Sequence, residues 1–313
     1  MSDFNADSTT DEVIAGIDLS GTRAVVTGAS SGLGVETARA LAARGAAVML
    51  VARDPAKLET ALAQLQDAVP GGRFDTALAD LADLASVRAG ADDILQRCPR
   101  IDLLINNAGV MACPLLRTAD GFEMQFGTNH LGHFLFTARL MPALLAATPA
   151  RIVNLSSAGH KFGAMNLEDP NYEQREYNKW VAYGESKTAN VLFTVGLEQR
   201  FGARGVHALA VHPGVIMTEL SRHMDQADLE MLMARGESSG MTIKNVEQGA
   251  ATSVWAATSP ELEARGGLYL EDCHIGEPAV PGGDGGVEAY AVDTGIADRL
   301  WTLSEQLVGE TLG

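Results

Sequence analysis

Residues 46–52, Ala-Ala-Val-Met-Leu-Val-Ala, carry no polar side chain at either odd or even positions. Side chains of a strand point alternately to two faces, so this strand is apolar on both and must be covered on both. A sheet with one wet face would alternate polar and apolar residues instead. The run therefore predicts a parallel strand held between layers of helix. The next residues agree. Asp54-Pro55 reads as an N-cap with proline at the first helical position, and Leu58, Leu62 and Leu65 then recur at helical spacing.

The same alternation runs through the chain. Strands are predicted at 23–27, 76–79, 101–106, 151–156, 206–211 and 267–270. Between them lie helical stretches over 36–44, closed by Gly45, over 130–147, 183–200 and 247–258, and near 296–307. Val87, Ala91, Ile94 and Cys98 mark a further helical stripe. Strands alternating with helices imply crossover connections, hence a doubly wound α/β fold whose parallel sheet has about seven strands. No internal repeat or break in composition divides it, so 17–313 is expected to be one Rossmann-type domain. Residues 1–16 are expected to be a flexible leader, and the Gly- and Pro-rich stretch 276–286 a surface loop.

A formal charge of −17 argues against nucleic acid and against docking on an anionic membrane. The polar, acidic N-terminus is no signal peptide, and no apolar run approaches the roughly 18 residues that would span a bilayer. Cys98, Cys113 and Cys273 are scattered, without metal-ligand spacing, which favours a reducing compartment and a cytoplasmic location. His130 and His133 lie three apart with no third ligand, so no metal is expected; His212 is expected to be structural.

Three local patterns carry chemistry. Thr27-Gly28-Ala29-Ser30-Ser31-Gly32-Leu33-Gly34 follows a strand and opens a helix. There, glycines let the backbone approach a pyrophosphate at a positive helix N-terminus. Beyond the second strand, Ala52 supplies no carboxylate for the adenosine ribose while Arg53 supplies a cation, which favours a 2′-phosphate and so NADP(H), with NAD(H) possible. Asp54 complicates this, because it is placed to pair with Arg53. Asn106-Asn107-Ala108-Gly109 ends the fourth strand, on the edge where ligands collect in such sheets. Finally, Tyr183 and Lys187 stand four apart on a helix, on one face. A fixed cation there is expected to lower the phenol pKa and make a proton donor and acceptor.

Taken together and in order, these motifs resemble the short-chain dehydrogenases/reductases over about residues 20–275. The matching pieces are TGASSGLG at 27–34, Asp80-Leu81, NNAG at 106–109, Asn129 in TNHLGHF, Ser157 in IVNLSS, YGESK at 183–187 and HPGVIMTEL at 212–220. Arg53-Asp54, LADLASVR at 81–88, NHLGHF and SKTANVLFT at 186–194 are similar to the retinol-dehydrogenase and WW-domain-oxidoreductase group.

The resemblance implies hydride transfer between nicotinamide and a carbonyl or alcohol, with Asn129, Ser157, Tyr183 and Lys187 as the catalytic set. Tyr183 would exchange the proton, Ser157 would polarise the substrate oxygen, and Asn129 would hold a relay water for Lys187. Ser156 is the alternative to Ser157. Gly28, Ser30, Ser31, Gly32, Leu33, Gly34, Arg53, Asp80, Leu81, Asn107, Ala108, Gly109, Tyr183, Lys187, Pro213, Gly214 and Thr218 would contact the cofactor. It further implies a substrate lid near 216–241. That stretch holds Met217, Met224, Met231, Met233 and Met241, which suits a bulky, hydrophobic substrate. A homo-oligomer, dimer or tetramer, is expected.

One departure is the interval between Ser157 and Tyr183. It has 25 residues, longer than in many members of the family, and it leaves the substrate-pocket wall undetermined. Tyr177, inside it, has no lysine four residues on. Two other classes compete: a catalytically silent NADP-binding redox sensor, and an enzyme of nucleotide-sugars. The latter typically carries TGxxGxxG, whereas the spacing here is TGxxxGxG.

Overall fold

The computed structural model describes residues 4–216, 220, 224, 226, 228, 243–280, 283 and 285–312. Thr218 and most of the expected lid, including Met217, Met231, Met233 and Met241, lie outside the described residues. In β1 (Arg23–Thr27), Val25 packs into one apolar cluster while Ala24 and Val26 pack into another on the opposite face. β2 (Ala47–Ala52) behaves likewise, with Met49 and Val51 on one side and Val48 and Leu50 on the other. These are the two-sided strands that an uninterrupted apolar run demands.

Strands β3 (Arg73–Leu78), β4 (Leu103–Asn106), β5 (Ala150–Leu155) and β6 (Val206–His212) continue the sheet. A short pair, β7 (Val215–Ile216) and β8 (Ile243–Lys244), stands apart from it. β9 (Leu268–Glu271) and β10 (His274–Ile275) complete it. Among the described residues the main sheet has eight strands, in the order β10-β9-β6-β5-β4-β1-β2-β3. All its pairings are parallel except β9 with β10. The doubly wound α/β fold expected from the sequence is present, and the eighth strand is the antiparallel edge hairpin. Two residues at 274–275 are too short a run to leave a periodic signal.

The strand order reverses at β1, whose neighbours are β2 on one side and β4 on the other. The chain leaves these neighbours in opposite directions, and a crevice opens at their carboxyl ends. One layer of helices comprises α1 (Thr10–Val13), α2 (Gly32–Ala43), α3 (Pro55–Ala68) and α8 (Val246–Thr258). The other comprises α4 (Leu84–Arg97), α6 (Gly132–Leu145), α7 (Lys179–Phe201) and α9 (Thr294–Val308). A short turn α5 (Met124–Phe126) and a π-helical turn over Gly127–Leu131 lead into α6. No helix among the described residues is long and apolar enough to cross a membrane.

The segment expected to be a loose leader departs from that expectation where it is described. Thr9 closes a capping box with Glu12, Thr10 bonds the buried Glu36, and Asp11 pairs with Arg39 at 2.8 Å. Val13 and Ile14 are buried against α2 and α8. With Phe4, Val13 and Ile14 as widely spaced or adjacent anchors amid polar residues, this packing leaves no periodicity to read. Ile14→Ala should lower stability by about 2–5 kcal/mol. Thermal unfolding checks this; an unchanged midpoint would return the segment to a leader that contributes nothing.

Candidate active site

The site begins at the end of β1. Thr27 Oγ1 accepts the backbone amides of Asn107 (2.9 Å) and Ala108 (3.1 Å), tying β1 to the segment that follows β4. Asn107 Nδ2 donates to the Thr27 carbonyl at 2.8 Å. Gly28 then takes φ +66°, and a Cβ there would sit 2.9 Å from both Ala108 Cα and Asn107 Nδ2. Glycine is required on both counts. Ser31 is the N-cap of α2 but makes no side-chain cap, so the first amides of the helix stay available to an anion.

Gly28, Ser30, Ser31, Gly32 and Leu33 line the resulting cleft, as do Asp80, Leu81, Asn107, Ala108 and Gly109, and farther along Pro213 and Gly214. Gly34 does not. It is buried behind the turn against the Gly28 carbonyl, so it makes room for the turn without facing the cleft. At one corner Arg53 is exposed and has no ion-pair partner among the described residues. The pairing with Asp54 weighed from the sequence is absent, because Asp54 is occupied as the N-cap of α3 and accepts from Ala56 (3.0 Å) and Lys57 (3.1 Å). Lys57 lines the same corner. Its place in the first turn of the helix that Asp54 caps was the signal for it in the sequence.

The other end of the cleft holds Ser157, Tyr183 and Lys187. Ser157 Oγ accepts the Gly159 amide at 3.0 Å and, with the Tyr183 ring, crowds the space a Cβ on Gly159 would take. Ser156, the alternative, is committed elsewhere: its hydroxyl donates to the Lys187 carbonyl at 2.9 Å. Lys187 Nζ donates to the Leu155 carbonyl at 3.0 Å and stands 5.7 Å from the Tyr183 ring centre. Burial pushes the Tyr183 phenol up to about 12, against the opposing Ser157 bond, and brings the Lys187 ammonium down to about 8. The shift of Tyr183 is thus opposite in sign to the one expected from the pair alone, since desolvation outweighs the Ser157 bond that opposes it.

Asn129 is fully buried, behind the cleft wall. Its Nδ2 donates to the Val110 carbonyl and to Ser186 Oγ, both at 2.9 Å, and its Oδ1 accepts the Val110 amide at 2.8 Å. A Cβ on Gly109 would meet Asn129 Oδ1 at 3.2 Å and Lys187 Nζ at 3.6 Å, so the three are neighbours. His130 lies away from the site, packed against Phe126 and Phe193 and bonded to Ser304 at 2.7 Å. His212 lines the cleft, and its Nδ1 accepts the Ala158 amide at 3.1 Å.

The long interval before Tyr183 is pinned to the helix that carries it. Arg175 makes two 2.6 Å bonds to the buried Glu185, Tyr172 donates to Glu185 at 2.8 Å, and the guanidinium stacks 3.7 Å from the Tyr172 ring centre. Tyr177 is turned away, donating to the Cys113 carbonyl at 2.9 Å. Phe162 and Trp180, ring centres 6.1 Å apart and edge to face, reach the cleft beside Tyr183. Within the part of the pocket wall that the sequence left undetermined, two aromatic rings and Lys161 line the cleft.

The family model described as short chain dehydrogenase matches residues 22–229. Human retinol dehydrogenase 14 is 41% identical over 302 residues, 92% of this chain and 87% of that protein. A crystal structure of an uncharacterised protein from Mycobacterium paratuberculosis aligns with TM-score 0.74 and 36% identity, over 98% of this chain and 99% of that one. The NADP active-site complex of RhlG from Pseudomonas aeruginosa aligns with TM-score 0.66 and 25% identity, over 81% of this chain and 95% of that one.

The buried ammonium yields a stability prediction. Folding lowers the Lys187 pKa from 10.5 to about 8, which penalises the charged form in the fold. That penalty is complete below pH 8 and disappears as pH rises towards 10.5, where the unfolded chain also loses the proton. Lys187→Met should therefore stabilise the fold by about 2–3 kcal/mol at pH 7, a gain that shrinks above pH 8. Denaturant unfolding at several pH values measures it, and a loss of stability at pH 7 would contradict it.

Proposed function

The chain belongs to the short-chain dehydrogenase family, and from that membership we propose that it interconverts a bulky, apolar carbonyl compound and its alcohol, with a preference for NADP(H). Oxidoreduction with a nicotinamide dinucleotide is the general activity that membership carries. The observation behind the finer reading is that Ser157, Tyr183 and Lys187 open on the same cleft as the glycine turn.

The residues fit a dinucleotide. Gly28 keeps the turn closed against Asn107 and Ala108 where a Cβ would collide, the start of α2 is uncapped, and Arg53 stands without an ion-pair partner among the described residues. The turn and the first amides of α2 would hold its pyrophosphate, Asp80 would meet the adenine, and Arg53 with Lys57 would meet a 2′-phosphate. Lys187 would hold the nicotinamide ribose, with Pro213, Gly214 and Thr218 beside the ring. The bound dinucleotide supplies or accepts the hydride. Ser157 polarises the substrate oxygen, and Tyr183 gives it a proton in reduction and removes one in oxidation. A phenol raised to about 12 is fully protonated at pH 7, which suits the donor role. Asn129 holds the Tyr183 helix through Ser186, beside the Lys187 ammonium. The edge-to-face pair Phe162–Trp180, with Met111 lining the same cleft, supports an apolar substrate with aromatic or bulky aliphatic surface.

NADPH oxidation with a graded panel of ketones and aldehydes tests this reading. Bulky apolar compounds should turn over faster than small polar ones. Tyr183→Phe should lose nearly all turnover, a factor of about 10² or more, while NADPH still binds. Parent-like turnover in that variant would remove Tyr183 from the role. NADPH binding with no turnover anywhere in the panel would favour a catalytically silent sensor instead.

Arg53→Ala should weaken NADPH binding by about 1.5–3 kcal/mol and leave NADH nearly unaffected. The ratio of kcat/KM for the two cofactors is the measurement. A parent enzyme that already prefers NADH would refute the preference.

A further inference from the structure

His133 takes no part in the roles above, yet it stands between two residues that do. Its ring is 2% exposed. Nδ1 lies 2.9 Å from the Asn129 carbonyl and Nε2 lies 2.9 Å from Thr27 Oγ1. A carbonyl can only accept, so Nδ1 carries the hydrogen. Burial also brings the imidazole pKa down to about 4, so the ring is neutral and Nε2 must accept. Thr27 Oγ1 already accepts two amides, which leaves its own hydrogen for Nε2. The other acceptor within reach, the Ile105 carbonyl, is longer at 3.4 Å.

Beyond Asn129 the bonds keep the same sense. Asn129 Nδ2 donates to Ser186 Oγ at 2.9 Å, and Ser186 Oγ donates to the Tyr183 carbonyl at 2.8 Å. Every bond in the series therefore points one way: Thr27 to His133, His133 to Asn129, Asn129 to Ser186, and Ser186 to the backbone of Tyr183. The first two bonds share the imidazole and the last two share the Ser186 hydroxyl, so each pair polarises within itself; between the pairs, Asn129 links its backbone carbonyl to its side-chain amide as a rigid strut, all of it in the protein interior. We propose that His133 is a positioning residue, joining the strand end that shapes the dinucleotide turn to the helix turn that carries Tyr183.

The proposal rests on the roles given above to Asn129 and Tyr183, and it adds a demand on a side chain that reaches neither cofactor nor substrate. If His133 only fills space, phenylalanine is an adequate replacement. If it positions, phenylalanine severs the series at both ends while keeping much of the volume. Asparagine, whose amide can take the place of Nδ1–H, restores the bond to the Asn129 carbonyl.

The test compares the parent protein with His133→Phe, His133→Asn, Ser186→Ala and the His133→Phe/Ser186→Ala double variant. His133→Phe should lower kcat about 10- to 100-fold, the scale expected for slight misplacement of a reacting group, with KM for NADPH changed less than about threefold. His133→Asn, which keeps the bond to the Asn129 carbonyl but not the one from Thr27, should recover part of that loss. The double variant should fall no more than about twofold below the worse single variant, because both cuts fall in one series. A folded His133→Phe with kcat within about twofold of the parent would overturn the proposal, as would equal losses in His133→Phe and His133→Asn. Should His133→Phe not fold, parent-like kcat in Ser186→Ala would overturn it equally. Hydrogen exchange of the free protein separates this from failure of the enzymatic reading. His133→Phe should speed exchange at 183–190 by about tenfold, and unchanged exchange there refutes the coupling whether or not the parent turns over any substrate.

Discussion

The three bonds made by Thr27 Oγ1 hold together the place where the sheet reverses its winding. Two of them capture the amides of Asn107 and Ala108, and the third reaches His133. β1 and β4 are neighbours in the sheet although two other strands separate them in the chain, so the ends of these two strands diverge into unlike connections. Without a fixed tie at this point the crevice would have no set width. Gly28 is a consequence of the tie: with Ala108 Cα and Asn107 Nδ2 drawn this near, no side chain fits. The wall formed by Gly28 and residues 107–109 takes its position from this closure.

Burial is the second governing condition, and it acts on the groups enclosed at the catalytic end of the cleft. It raises the Tyr183 phenol, lowers the Lys187 ammonium, and keeps His133 and His212 neutral. Neutral histidines have fixed tautomers once their acceptors are known, so each becomes a directional strut. The carboxylate of Glu185, on the same helix, escapes an unpaired state only because Arg175 and Tyr172 bind it. Removing one partner of such a buried group is far more damaging than its surface counterpart. That clamp explains how a long interval between Ser157 and Tyr183 can be held as a wall beside the cleft.

The docking of α9 on α6 and α7 is likewise a matter of burial. Trp301 meets Phe134 and Phe193 edge-on or tilted, with ring centres 5.2 and 5.9 Å apart, and Ser304 accepts from the buried His130. His130 is therefore part of the core, and the pair His130 and His133 faces two different partners despite sharing one stretch of helix.

The sequence by itself determined the layers, the crossover connections and the residues gathered at one edge of the sheet. Apolar runs such as 46–52 admit only a strand covered on both sides, and a glycine turn between a strand and a helix marks where an anion can approach. Periodicity and turn chemistry are local, and they are legible for that reason. Tertiary structure alone decided what depends on neighbours distant in the chain. It kept Asp54 from Arg53 by giving it to the α3 cap, took Gly34 out of the cleft lining, and bonded the Ser156 hydroxyl to the Lys187 carbonyl. It also reversed the sign expected for Tyr183, since desolvation depends on everything packed around a group, whereas the i to i+4 spacing reports a single neighbour. The docking of 10–14 and the role proposed for His133 were illegible for the same reason. Hydrogen bonds across 26 and 106 residues of chain leave no pattern in the residues between them.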